Sequence, residues 1–133
     1  MAHYHAVVWL DHREARVFHF NADEADRAVI HPDRPAHQLH RRSGKPGSGH
    51  AAEDQVFYHH VAEAIADAGA VLVVGPGQAK LELLKHVHRH DHALVERIVG
   101  VETVDHPTDG QLLAYARTYF KAKDRTLPQR AGQ

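Results

Sequence analysis

The segment Ala70-Val71-Leu72-Val73-Val74-Gly75-Pro76-Gly77-Gln78-Ala79-Lys80-Leu81 constrains this chain more than any other. Its apolar run is bounded by glycines and too short for a typical helix, so it reads as a strand buried on both faces. A glycine-proline turn follows, and a helix is expected from Gln78 to about His88. Strand, sharp turn and helix N-terminus together form the basic unit of α/β architecture. That junction presents backbone N–H groups at the carboxyl end of a strand, where such folds place their sites. Gly75, Gly77, Gln78 and Lys80 are therefore the candidate anion-binding turn, although Pro76 supplies no N–H.

The elements around this unit follow from periodicity. Ala6 to Leu10 is apolar and extended, and Asp11-His12-Arg13-Glu14 is turn-like. Ala15 to Phe20 alternates, with Ala15, Val17 and His19 on one face and Arg16, Phe18 and Phe20 on the other. These two strands should form a hairpin. A third strand comes from Ala28 to His31 or from Ala36 to His40, because Pro32 and Pro35 forbid one strand through both. Residues 41–50 have almost nothing to bury and are expected to be a mobile basic loop. From Ala51 to Ala68 the period becomes helical, with Val56, Phe57, His60, Val61, Ala64 and Ile65 on one stripe. The next helix places Leu81, Leu84 and His88 on one face, with Leu83 and Val87 near it. Ile98 to Val104 is a late strand. Thr108 and Gln111 then have the spacing of a capping box for a helix reaching about Ala122. This order implies one domain over 1–123, a mixed sheet that opens with an antiparallel meander, and helices packed over it. Residues 124–133 read as a flexible tail.

The totals exclude several classes. The chain has 133 residues, no cysteine and a formal net charge of -1. Thiolate metal sites, disulfides and cysteine nucleophiles are therefore absent. No stretch approaches the roughly 20 apolar residues needed to cross a membrane. The first residues lack the pattern of a signal peptide, so a cytoplasmic protein is the default expectation. Near-neutral charge means that nucleic acid would have to be held by a local basic patch.

Four constellations of residues bear on chemistry. The glycines fit neither a phosphate-loop nor a dinucleotide pattern, and nothing asks for a cofactor. The 15 histidines include His86, His88, His90 and His92, which pair at helical spacing as His86 with His90 and His88 with His92. Two imidazoles per face fall short of a zinc site, and His3 and His5 add ligands only if the fold brings them close. Ser43, Ser48 and His50 lack a rigid frame for nucleophilic catalysis, and Asp11 is assigned to the turn. The strongest basic group is Arg41, Arg42 and Lys45 with His50, which could contact RNA phosphates without reading bases. Lys121, Lys123, Arg125 and Arg130 form a second basic group.

Five sequence blocks carry a family resemblance. They are Val7-Val8-Trp9-Leu10-Asp11, Ala15-Arg16-Val17-Phe18, Phe57-Tyr58-His59-His60-Val61-Ala62-Glu63, Val73-Val74-Gly75-Pro76-Gly77-Gln78-Ala79-Lys80 and Val104-Asp105-His106-Pro107-Thr108-Asp109-Gly110-Gln111-Leu112. In order and spacing the chain resembles the middle domain of the archaeal and eukaryotic release-factor and Pelota family. It also looks like small stand-alone bacterial translational machinery proteins. The resemblance implies a ribonuclease-H-like α/β fold, without implying ribonuclease activity. In release factors of this family a Gly-Gly-Gln loop promotes ester hydrolysis. Its position would fall near Lys45-Pro46-Gly47-Ser48-Gly49-His50, where the contiguous triplet is missing. Gly77-Gln78 lies in a different turn. What the resemblance implies is a non-catalytic adaptor whose partner is ribosomal RNA, tRNA or a ribosomal protein. The alternatives are a peptidyl-tRNA or other ester hydrolase using His50 or Gln55, and a homo-oligomeric interaction module such as a homodimer without RNA contact.

Overall fold

The computed structural model describes residues 4–32 and 46–131, with side chains described over 4–32 and 55–123. Strands β1 (His5–Leu10), β2 (Ala15–Phe20) and β3 (Ala25–Ile30) come first. Helix α1 (Pro46–Ile65), strand β4 (Ala70–Gly75), helix α2 (Ala79–His90) and the one-turn helix α3 (His92–Val95) follow. Strand β5 (Ile98–Thr103) and helix α4 (Asp109–Ala131) complete the described residues. The sheet order is β3-β2-β1-β4-β5. β1 is antiparallel to β2 and parallel to β4, and β5 is parallel to β4.

The meander is set by two turns built alike. Asp11 Oδ1 accepts from the backbone N–H groups of Arg13 and Glu14 at 2.8 and 3.0 Å. Asn21 Oδ1 does the same for Asp23 and Glu24, at 2.8 Å each. A short acceptor side chain thereby satisfies the donors that the turn leaves open. The first turn fixes Leu10 opposite Ala15 and Trp9 opposite Arg16.

The sheet is covered on both sides. Ala6, Val8, Leu10, Ala15, Val17, Val71 and Val73 face α1, α2 and α3. Val7, Trp9, Phe18, Phe20, Leu72 and Val74 face Leu112, Ala116 and Phe120 of α4. β4 is buried along its whole length, as its unbroken apolar run requires. Gly75 ends it where β1 comes closest: a Cβ there would overlap the backbone carbonyl of Leu10.

Several boundaries and faces differ from the sequence expectation. Residues 46–50 of the expected loop lie in helix α1, because Pro46 fits a first helical position with its preset φ. Most of the expected tail continues α4 as far as Ala131. β3 begins at Ala25, earlier than expected, because an exposed edge strand tolerates Asp26 and Arg27. Residues 36–40 lie outside the described residues. The buried stripe of α1 is rotated toward Phe57, Tyr58, Val61, Ala62 and Ile65, and Val56 is half exposed. In α2 the sheet-facing residues are Ala79, Leu83 and Val87, while Leu81 and His88 point outward.

Candidate functional site at the carboxyl ends of the parallel strands

The chain leaves β1 toward β2 and leaves β4 toward β5, in opposite directions across the sheet. The carboxyl ends of β1 and β4 therefore flank a topological switch point, where open α/β sheets form their crevices. Asp11 closes one side and the Gly75–Lys80 turn the other. The segment 104–109 crosses above on its way into α4.

A polar cluster ties that segment down. The Trp9 indole is fully buried, and its Nε1 donates to the Asp105 carbonyl at 2.7 Å. The Arg16 guanidinium lies 4.5 Å from the centre of the Trp9 ring. Its Nη1 donates to the Pro107 carbonyl at 3.0 Å and to Asp109 Oδ1 at 2.8 Å. The other carboxylate oxygen of Asp109 meets Arg27 Nε at 2.8 Å. Asp109 thus joins β2, β3 and the first turn of α4, where a negative charge also favours the helix dipole. Thr108 and Gln111 complete the expected capping box through reciprocal bonds of 2.9 and 3.1 Å. His106 lies beside Trp9, with Nδ1 3.1 Å from Asp105 Oδ1 and Nε2 3.6 Å from Asp11 Oδ2. The sequence reading missed this cluster. The cross-strand pair Trp9 and Arg16 was the signal that could have found it.

The Gly75–Lys80 turn is assembled where expected, but Lys80 does not reach outward. Its side chain is buried and Nζ donates to the Gly77 carbonyl at 2.6 Å. Gln78 precedes α2 without a side-chain cap. The turn is thus braced from inside by the lysine expected to meet an anion. Arg41, Arg42 and Lys45 lie outside the described residues. His50 falls in the first turns of α1, with its side chain outside the described residues.

The histidine pairs form as spaced. The rings of His86 and His90 are 4.5 Å apart, and those of His88 and His92 are 5.4 Å apart. His86 Nδ1 also meets Gln55 Oε1 at 2.8 Å, which engages Gln55 in the contact between α1 and α2. Burial, then the neighbouring His90, His59 and Arg89, hold the His86 imidazole below its ordinary pKa. His5 packs against Phe20 and Phe120, and His3 lies outside the described residues. Among the described residues no group of three or more histidines and carboxylates is placed to hold a metal ion. No described helix is long and apolar enough to cross a membrane.

No protein-family model matches the sequence, and neither does any curated protein. Solved structures do match. Pelota of Archaeoglobus fulgidus superposes with a TM-score of 0.56 at 13% identity, covering 83% of this chain and 29% of that one. The archaeal translation termination factor aRF1 gives 0.56 at 13% identity, over 96% of this chain and 41% of that one. Thermoplasma acidophilum Pelota gives 0.55 at 13%, over 82% and 30%. This chain has the fold of one part of Pelota and of aRF1. It is the expected ribonuclease-H-like arrangement, a mixed sheet between packed helices. The chain spans well under half the length of these proteins. At such identity the likeness is one of fold. The five sequence blocks fall on β1, on β2, in α1, across the β4–α2 turn and on the segment entering α4.

Proposed function

We propose that this chain is a non-catalytic adaptor domain that associates with the ribosome or with RNA. The observation that supports it is the fold shared with Pelota and aRF1 in a sequence without a contiguous Gly-Gly-Gln. Two local features favour the non-catalytic reading. Gly77-Gln78 belongs to the braced β4–α2 turn, and Gln55 is hydrogen-bonded within a helix pair. Arg41, Arg42 and Lys45 supply the phosphate contacts in this reading, with ribosomal RNA, tRNA or a ribosomal protein as the partner.

The test is co-sedimentation of the protein with ribosomes and separated subunits across a salt series. Saturable binding that weakens with salt is expected. Replacing Arg41, Arg42 and Lys45 together with alanine should flatten the dependence of log K on log salt by about two, given roughly 0.7 per phosphate contact. Binding unaffected by the triple replacement overturns the role of these residues. No binding even at low salt overturns the adaptor reading. Hydrolysis of peptidyl-tRNA, lost on His50→Ala or Gln55→Ala, would establish the hydrolase in its place.

A further inference from the structure

We infer that the histidine-lined contact between α1 and α2 is a pH-sensitive seam, closed at neutral pH and opened from its outer edge by mild acid. Gln55 and His59 stand one turn apart on α1, and His86 and His90 stand one turn apart on α2. His86 is the buried member of this set, only 6% exposed. Its Nδ1 lies 2.8 Å from Gln55 Oε1. Its ring centre is 4.5 Å from that of His90 and 6.2 Å from that of His59, which it meets edge-on. Three imidazoles from two helices thus share one small contact.

The bond to Gln55 Oε1 suits a neutral His86 ring that carries its proton on Nδ1. Protonation adds a second donor at Nε2, for which no acceptor stands among the described residues, and a charge in a buried place. The charged neighbours make this worse. Burial weighs most against a charge on His86, followed by His90, then His59 of α1, then Arg89 of α2. The carboxylates nearby are engaged elsewhere. Glu63 of α1 lies 3.2 Å from His59 Nε2, and Glu82 of α2 lies 3.7 Å from Lys85 Nζ. Asp91, at the start of α3, accepts from the Leu94 N–H at 3.3 Å, and His92 of α3 meets His88. Glu53 and Asp54 precede Gln55 in α1, with side chains outside the described residues.

The seam opens locally because its two sides differ. Toward the sheet, Val61 and Ile65 of α1 and Leu83 and Val87 of α2 belong to one apolar cluster with β1 and β4. Acid leaves that packing untouched. Toward solvent, the contact is made by Gln55 and the three histidines, whose charge changes near the ordinary histidine pKa of about 6.5. An open seam lets water solvate His86, so it takes up the proton more readily than the closed one. Opening therefore grows as pH falls through that value. Like charges at the spacing of these rings shift such an equilibrium by about tenfold, between the limits of bulk water and a protein surface. Helix α4 packs on the other face of the sheet, away from the seam.

The test is hydrogen exchange of the full chain at about pH 7.5 and 5.5, read by mass spectrometry of its peptides and corrected for exchange of an unstructured chain at each pH. Residues 55–61 should open about tenfold more at the lower pH, whereas residues 112–120 of α4 should change by less than about twofold. His86→Gln keeps a hydrogen-bonding side chain opposite Gln55 without the titration, and should bring the response of residues 55–61 below about twofold. His59→Gln combined with His90→Gln leaves His86 and its bond in place and should reduce the response to about threefold, which serves if the first variant fails to fold. No acid response in residues 55–61 overturns the inference, and so does an equal rise in α1 and α4, which is global unfolding. A response that survives undiminished in either folded variant also overturns it.

Discussion

Asp109→Ala tests the cluster that fastens α4 to the meander. The substitution removes the acceptor for Arg16 Nη1, whose side chain is only 11% exposed, and the partner of Arg27. A charge-assisted hydrogen bond in a partly buried setting contributes about 1.5–3 kcal/mol. The Arg27 contact is half exposed on both sides and adds no more than about 0.5 kcal/mol. Loss of the first-turn negative charge costs about another 0.5 kcal/mol. The Pro107 carbonyl still accepts from Arg16 and offsets part of the loss. The net cost is therefore near the lower end, about 2 kcal/mol, which lowers the Tm by roughly 6–10 °C for a chain of this size. Asp109→Asn retains an acceptor for Arg16 without the charge, and should lose about half as much. Thermal unfolding followed by circular dichroism measures both. A fall below about 2 °C for Asp109→Ala would refute the assignment. Arg16 would then be re-paired, and Glu14, 3.8 Å from its Nε, is the nearest alternative.

Gly75→Ala should cost about 3 kcal/mol or more, because the obstructing atom is a backbone carbonyl in the central ladder and cannot swing away. Equilibrium denaturation checks this, and a loss below about 1 kcal/mol would mean that β1 and β4 separate easily. His86 predicts acid sensitivity. Its neutral form is favoured in the fold, so it contributes nothing to pH dependence well above the ordinary histidine pKa of about 6.5. As pH falls through that value the unfolded chain takes up the proton first, and stability declines until the lowered folded pKa is passed. Denaturation midpoints between about pH 7.5 and 5.5 should fall less steeply for His86→Gln than for the original chain, and identical slopes would show that other groups carry the effect.

The β4–α2 junction was legible because its signals are local: a fully apolar run, flanking glycines and a proline. The β1–β2 hairpin was legible for the same reason, including the alternation that sends Phe18 and Phe20 to one side and Val17 to the other. The start of α1 was not, since Gly47-Ser48-Gly49 are weak helix formers and composition there resembles a loop. The phases of α1 and α2 were misjudged because Val56 and Leu81 are apolar yet exposed. Apolar periodicity marks a face only approximately when extra apolar residues sit beside it. The Trp9–Arg16–Asp109–Arg27 cluster joins residues far apart in sequence, and no local pattern announces Asp109 as the shared partner of two arginines. Lys80 shows the converse failure. A basic residue in the first turn of a helix reads as a ligand for an anion, whereas its flexible stem folds back and braces the turn.

The position of β1 bears on how the chain reaches this state. One flank pairs with β2, a few residues away across a tight turn, and the other with β4, where His5 stands beside Ala70. The first pairing has low contact order and closes a short loop. The second closes a long one and loses correspondingly more chain entropy before any contact rewards it. During synthesis the meander emerges ahead of β4, with the parallel side of β1 still open. β1 is thus enclosed on its second flank only when β4 arrives, and until then the nascent meander offers that open flank to wrong strand partners.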